Sequence, residues 1–397
     1  MYPILQLKPR QDRRIKQGHL WVYSNEVDTK VSPLKSFQSG EVVKVVNGQG
    51  KFLGYGYINP NTLICARLLS RDENVKPSPK WLEKRIEAAF ELRARFFTEP
   101  FYRLCYGDSD GLPGLVVDRF GDYYVVQIST QGMEAWKEQI VAVLEKLCAP
   151  AGILVKNDAS SREVEGLESY VELAHGDFPE ELLVKEGDVS FTVPIKTGQK
   201  TGWFYDHRAN RTAAAQWANG ARVLDVFSYI GAWGLQTLQG GADSLVAIDA
   251  SESALNYLDK SADLNGWKNQ VTTIQGKAFQ VMSDLRQNGE KFDLIILDPP
   301  AFIKRKKDLD KGMTAYRRAN ELAIRLLNPG GVLVSASCSM HLAESQLVDV
   351  IRSTSRHLDR QTQILSMGYQ DVDHPVHPAI PETRYIKSII SRVVRAW

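Results

Sequence analysis

The sequence of 397 residues is long enough for two or three domains with ample core. Its apolar and charged fractions, 43% and 24%, are those of a globular protein, and a net charge of only +2 excludes a strongly basic nucleic-acid binder, so local clusters carry more information. Four cysteines, Cys65, Cys105, Cys148 and Cys338, show neither C-x-x-C pairing nor zinc spacing. That argues against a disulfide framework or a metal site, and the absence of a leader pattern or a long apolar run points to a cytoplasmic protein with no membrane partner.

Residues 1–72 read as a small β-rich module. Gly40 to Val46 and Phe52 to Ile58 flank the turn signal Asn47-Gly48, and Cys65 to Leu69 offers another strand. Ahead of them lie Lys8, Arg10, Arg13, Arg14, Lys16 and His19, followed by Trp21 and Tyr23. Cations beside aromatics suit an RNA-backbone surface, and equally a solvated first helix. Pro77 and Pro79 mark a linker into residues 73–185, expected to be an α+β unit. Its helix runs from Trp81 to Phe97, with Leu82, Ile86, Ala89, Phe90 and Phe96 on one face. Strands at Tyr102 to Tyr106, Leu115 to Asp118, Tyr123 to Ile128 and Ile153 to Lys156 surround a second helix, Trp136 to Leu147.

From residue 186 the pattern changes. A hairpin at Val189 to Pro194 leads into QKTGWFYDHR, residues 199–208, a dense polar and aromatic loop read as a lid over a cleft. Strand and helix then alternate: strands at Val223 to Phe227, Ser244 to Ile248, Val271 to Ile274, Phe292 to Leu297 and Val332 to Ala336, helices at Trp233 to Leu238, Ser253 to Leu264, Ala278 to Gln287, Met313 to Leu327 and Leu342 to Arg356. Asn328 to Gly331 is expected to cap the fourth helix, with Thr362 to Leu365 and Arg384 to Val394 as closing edge strands. The fold class is α/β, a doubly wound sheet of about seven strands.

Asp225 lies in the first strand of this sheet and Asp249 ends the second. Ligands of open α/β sheets bind beyond the carboxyl ends of the strands, and an acid about twenty residues after the turn commonly takes a ribose hydroxyl. The turn Phe227-Ser228-Tyr229-Ile230-Gly231 lacks the first two glycines of a dinucleotide fingerprint, which suits a ligand without pyrophosphate. An acid just before it would hold a cationic amino-acid group. S-adenosylmethionine has that amino group, and an ordinary strand-turn-helix unit is the alternative. Gln199, Thr201, Gly202, Asp206 and Arg208 of the lid, and Ala250 and Ser251 after Asp249, are further candidate cofactor contacts.

Asp298-Pro299-Pro300 follows the fourth strand. The prolines keep the chain from turning directly into a helix and hold Asp298 rigid for a planar substrate, on which Phe302 could stack. Cys338 stands just past the fifth strand among small residues, where a thiolate could attack a flipped base; a lone cysteine there is also an ordinary core residue.

Taken in order, QKTGWFYDHR, DVFSYIGAWG, AIDAS, DPPAF and SCS resemble the bacterial 23S rRNA 5-methylcytosine methyltransferases, with HLWVYSNEV similar to their PUA module and GDSDGLPGLVVDRFG to their central domain. The resemblance spans nearly the whole chain. It implies a PUA-like RNA-binding domain, a middle domain and a class I methyltransferase domain, with 23S ribosomal RNA as partner and a homodimer compatible with it. The implied chemistry is addition of Cys338 to C6 of cytosine with Asp298 on the base edge. Guanine N2 methylation through the DPP motif, or RNA binding without catalysis, are the competing readings. Where such enzymes often place an acid for the adenine amino group this chain has Gly276-Lys277, and lysine has no acceptor lone pair; Phe279 packing is expected instead.

Overall fold

The computed structural model describes residues 2–396, and the chain divides into two compact units. The first comprises residues 1–180, 195–203 and 372–383; the second comprises residues 181–194, 204–371 and 384–397.

In the first unit, β1 (Ile4–Gln6), β2 (Trp21–Tyr23), β3 (Val42–Val46), β4 (Phe52–Ile58) and β5 (Ile64–Ser70) form one sheet in the order β1-β3-β4-β5-β2. Its core is Leu5, Leu7, Val22, Val43, Val45, Ile58 and Leu68. The helix expected over the basic segment shrinks to one turn, Arg13–Lys16, because Gly18 follows with φ +104° and ends it. Lys8, Arg10, Arg13 and Lys16 are exposed, while Arg14 pairs with Glu26 at 2.7 Å.

A second sheet, order β10-β9-β8-β7-β6, is built from β6 (Phe101–Tyr106), β7 (Leu115–Phe120), β8 (Tyr123–Ile128), β9 (Gly152–Asn157) and β10 (Tyr170–Gly176). The helices Pro79–Ala94 and Lys137–Cys148 bury Leu82, Ile86, Ile140 and Leu144 against it. Pro79 is the first residue of its helix, where a missing N–H costs nothing, and Ser78 caps it. Phe96 departs from expectation: the helix ends at Ala94, and Phe96 is 60% exposed in the turn beyond. The two sheets interlock. Tyr57 donates from its hydroxyl to Pro113 O at 2.7 Å, and a Cβ on Gly132 would lie 2.0 Å from the Tyr57 ring. Residues 372–383 join this unit because Arg103 N donates to Asp373 Oδ2 at 2.9 Å and Arg93 donates to Asp373 O at 2.8 Å.

The second unit opens with a hairpin of β11 (Glu181–Glu186) and β12 (Val189–Pro194), so the segment expected to be a whole hairpin is one arm of it. The main sheet contains β13 (Arg222–Val226), β14 (Ser244–Asp249), β15 (Val271–Gln275), β16 (Phe292–Leu297), β17 (Leu327–Ser337), β18 (Arg360–Gly368) and β19 (Lys387–Arg395). Seven strands run in the order β15-β14-β13-β16-β17-β19-β18, the first five parallel and β19 antiparallel to both neighbours. Of the two C-terminal strands expected at the edge, β19 is therefore interior and β18 forms the edge opposite β15, which corrects that expectation for β19. Its Ile389, Ile390 and Val393 are buried, as an interior strand requires. Asn328 to Gly331 does not form a separate cap, since the chain passes from the Leu309–Leu326 helix straight into β17.

Strand register aligns the carboxyl edge. Val226 lies between Ile248 and Leu297, and Leu297 lies opposite Ser335. The next residue along places Phe227, Asp249 and Asp298 in one row, with Ser337 at the end of β17 and Cys338 directly after it.

Candidate active site

Asp225 is fully buried at the end of β13. Its Oδ2 accepts from Gly234 N at 2.9 Å, and its Oδ1 has no partner among the described residues. Burial pushes its carboxyl up to about 7, and the neighbouring charges of Asp298 and Asp249 push the same way against the Gly234 hydrogen bond. Gly234 is required there: a Cβ would meet Leu245 Cδ2 at 2.6 Å and Asp225 Oδ2 at 3.1 Å.

The turn after β13 is strained. Phe227 and Tyr229 have φ of 66° and 51°, a region that non-glycine residues enter at a cost of about 1–2 kcal/mol each. Ser228 N donates to Ile248 O at 3.0 Å and Tyr229 N to Asp249 Oδ2 at 2.9 Å, which fixes the loop over the strand ends. The Ser228 hydroxyl is buried and, among the described residues, has no partner. Asp249 also accepts from Ser251 N at 2.8 Å. Two backbone donors thus orient its carboxylate and leave acceptor capacity for vicinal hydroxyls. Ala250 and Ser251 are exposed, and Ser251 caps the Glu252–Leu264 helix through Ala254 N at 3.2 Å.

Asp298 is held from two sides: Trp233 Nε1 donates to Oδ2 at 2.9 Å, and His207 Nε2 lies 3.5 Å from Oδ1. Neither partner was a candidate from the sequence, although His207 stands inside the polar lid string and Trp233 opens the helix after the turn. Pro299 is buried and Pro300 exposed. Phe302 stacks on Phe279 with centroids 6.1 Å apart and meets Tyr316 edge-on at 4.9 Å. Phe227 closes this aromatic group at 6.3 Å from Phe279, while Lys277 is exposed.

Cys338 is half-buried between two buried serines. Tyr316 hydroxyl bonds Ser337 Oγ at 2.7 Å and Ser339 Oγ at 2.9 Å, so both serines face inward. The other cysteines are structural: burial pushes the thiols of Cys65, to about 12, and of Cys105 and Cys148 upward.

The lid residues divide between the units. Asp206 accepts from the Tyr385 hydroxyl at 2.5 Å, and Arg208 lies 3.7 Å from Asp371 and 4.0 Å from Glu186, all within the second unit. Gln199, Thr201 and Gly202 belong to the first unit, where Thr201 donates to Asp118 Oδ2 at 2.5 Å and Lys156 Nζ donates to Gly198 O at 2.9 Å and Lys200 O at 2.6 Å.

A buried carboxylate oxygen and a buried hydroxyl, neither with a partner among the described residues, and an oriented strand-end acid lie around one strained turn, a set of groups that fits S-adenosylmethionine. Residues 162–361 match the family described as S-adenosylmethionine-dependent methyltransferase, and residues 5–71 match the one described as PUA-like domain. The fold agrees with two solved methyltransferases. One, complexed with SAH, has a TM-score of 0.84 at 20% identity, covering 98% of this chain and 100% of that one. The other, from Streptococcus mutans, has a TM-score of 0.83 at 20% identity with the same coverage. The protein is a class I S-adenosylmethionine-dependent methyltransferase carrying a PUA-like domain.

Its sequence places it more narrowly. It is 33% identical over 399 residues to the ribosomal RNA large subunit methyltransferase I of Klebsiella pneumoniae strain 342, covering 99% of each chain. It is 34% identical to the protein of that name from Aeromonas hydrophila, covering 96% of this chain and 97% of that one. The chain belongs to the ribosomal RNA large subunit methyltransferase I family.

Proposed function

We propose that this protein methylates 23S ribosomal RNA in the cytoplasm, forming 5-methylcytosine through a covalent bond between Cys338 and C6 of the target base. The observation that carries this reading is Cys338 itself: a half-buried thiol directly after β17, at the carboxyl edge of the sheet, beside the strand β16 that Asp298 directly follows. The relatives' names support the RNA substrate, and the ordered DPPAF and SCS motifs support the carbon chemistry.

C5 of cytosine is a poor nucleophile. Addition of the Cys338 thiolate to C6 forms an S–C6 bond and moves the C5=C6 electron pair toward C5, with Asp298, steadied by Trp233 and His207, holding the base edge and favouring protonation at N3. When bound, S-adenosylmethionine supplies the electrophilic methyl group that C5 accepts. A base then takes the C5 proton, the C5–H electron pair restores the C5=C6 bond, and the S–C6 pair returns to sulfur, freeing Cys338 as the thiolate. Asp225, the 227–231 turn and Asp249 hold the cofactor, with Ala250 and Ser251 beside the ribose. Asp206 and Arg208 are the lid residues that belong to the same unit as this cleft. Pro299, Pro300 and Phe302 shape the base pocket.

In this reading residues 1–72 are the RNA-docking domain, 73–185 the middle domain and 186–397 the methyltransferase domain; a homodimer is the assembly, checked by light scattering. The test of the chemistry is Cys338→Ala in the full-length protein, with labelled cofactor and unmodified ribosomal RNA. Turnover should be abolished while cofactor and RNA still bind, and RNA carrying 5-fluorocytosine should trap a covalent complex with the unaltered enzyme. Near-normal methylation by Cys338→Ala would remove the carbon reading and leave amino-group methylation at the DPP motif.

A further inference from the structure

Lysine is almost never buried without a partner. Lys387 opens β19 opposite Ser337 of β17, is only 7% exposed, and forms no ion pair among the described residues. Its ammonium donates one hydrogen bond, to the carbonyl of Ser339 at 2.6 Å. Taking an ammonium out of water without a carboxylate is costly, and burial pushes Lys387 down to about 8. Nothing in the packing of β19 needs a cation there, since Ile386, Ile389 and Ile390 around it are apolar and buried.

The hydrogen bond spans the residue between Ser337 and Ser339, which is Cys338. Ser339 N donates to Ser337 Oγ at 3.1 Å and Ile303 N to Ser339 Oγ at 3.3 Å. Together with Tyr316 and Lys387 these bonds clamp the loop, leaving Cys338 as its half-buried member. The titratable and charged groups around the lysine are few. Cys338 acts on it most strongly, followed by Arg384 on its own segment and Glu344 from the Glu344–His357 helix. Arg384 and Glu344 pair with each other at 3.2 Å. Tyr316, from the packed Leu309–Leu326 helix, is pushed upward by burial and stays neutral.

We propose that Lys387 is the positioning residue that keeps Cys338 as a thiolate: its ammonium, held by the Ser339 carbonyl, sits beside the sulfur before addition and again when the S–C6 bond breaks. The proton balance is simple, because a neutral thiol beside a neutral amine becomes thiolate and ammonium by transfer of one proton from Sγ to Nζ. This rests on the reading of Cys338 as nucleophile.

The test is the pH profile of Cys338 alkylation by iodoacetamide in the full-length protein, read by peptide mass spectrometry. In the unaltered protein the alkylation midpoint should lie below that of an ordinary thiol, about 8.5. Lys387→Gln keeps a donor for Ser339 but removes the charge, and should raise the midpoint by about 1–3 units, slowing alkylation at neutral pH tenfold or more. Lys387→Arg should keep it low. A midpoint at or above that of an ordinary thiol in the unaltered protein, or no shift in a folded Lys387→Gln, overturns the proposal. Failure of the nucleophile reading would look different: Cys338→Ala would methylate RNA whatever the alkylation profile showed.

Discussion

Replacing Asp225 by Asn tests the electrostatics on which the cofactor cradle depends. The carboxyl is fully buried and raised from 3.8 to about 7, first by burial and then by Asp298 and Asp249, against one hydrogen bond from Gly234. A shift of about 3 units corresponds to roughly 4 kcal/mol, at about 1.4 kcal/mol per unit. The folded state holds this proton more tightly than the unfolded chain does, so its contribution to stability is full below about pH 4 and is lost as pH rises towards 7. Asn does not titrate, and its amide oxygen can still accept from Gly234 N. The stability of the native protein relative to Asp225→Asn should therefore fall by up to roughly 4 kcal/mol between about pH 4 and 8 in the absence of cofactor. Hydrogen exchange of the β13 amides, read by mass spectrometry, reports the local opening energy of this strand. Binding of a cationic amino group needs the ionised form, so calorimetric affinity for S-adenosylmethionine should weaken about tenfold per unit below pH 7 in the native protein and be weak and flat in the variant. A stability difference that stays constant with pH, or a variant that binds like the native protein at about pH 8, would refute the reasoning.

Three other outcomes are expected. Asp249→Ala removes the acceptor oriented by Tyr229 N and Ser251 N, and calorimetry should show cofactor affinity lower by roughly tenfold to a hundredfold; unchanged affinity would sink the ribose assignment. Gly234→Ala forces a Cβ to within 2.6 Å of Leu245, so thermal unfolding should register a loss of about 1–3 kcal/mol together with weaker cofactor binding. Changing exposed Lys8, Arg10 and Arg13 together to Gln should weaken RNA binding and flatten its dependence on salt without altering cofactor affinity. An unchanged salt slope would take this segment out of the RNA surface. Point changes are preferable to deleting residues 1–72, because Tyr57 packs into the neighbouring sheet and its loss would open that core.

The main sheet was legible because its parallel strands are buried on both faces and read as short apolar runs, such as Phe292 to Leu297. β10 and β11 were missed for the opposite reason. β10 leaves Val171 and Leu173 half exposed, and β11 buries only alternate residues, Leu182, Val184 and Glu186, so neither shows a continuous run. Asp225, Asp249, Asp298 and Cys338 could be found because each stands where an apolar strand ends. Their supports could not. Trp233 and His207 matter through Asp298, and Lys387 meets Ser339 from 48 residues further along the chain. No local pattern encodes such a meeting. The one signal for Lys387 was a charge directly before the apolar run of an interior strand, and β19 had been assigned to an edge, where a lysine is unremarked.

The three strand-end acids explain one another. Asp249 and Asp298 both raise Asp225, so the edge concentrates negative charge around a fully buried carboxyl. Asp249 draws on two backbone donors and Asp298 on Trp233, but Asp225 has one oxygen served by Gly234 and one served by no described residue. A neutral ligand would leave that repulsion in place. A cationic one relieves it at all three positions at once, and binding it should release the proton that Asp225 carries near neutral pH. The strained turn at Phe227 and Tyr229 serves the same end, since it brings the backbone N–H of Tyr229 to Asp249. Selection of a sulfonium cofactor over an uncharged nucleoside thus follows from where the unmet charge lies, and the absence of an acid at Lys277 is consistent with it: another carboxylate would add repulsion, whereas Phe279 stacked on Phe302 offers an aromatic surface and no charge.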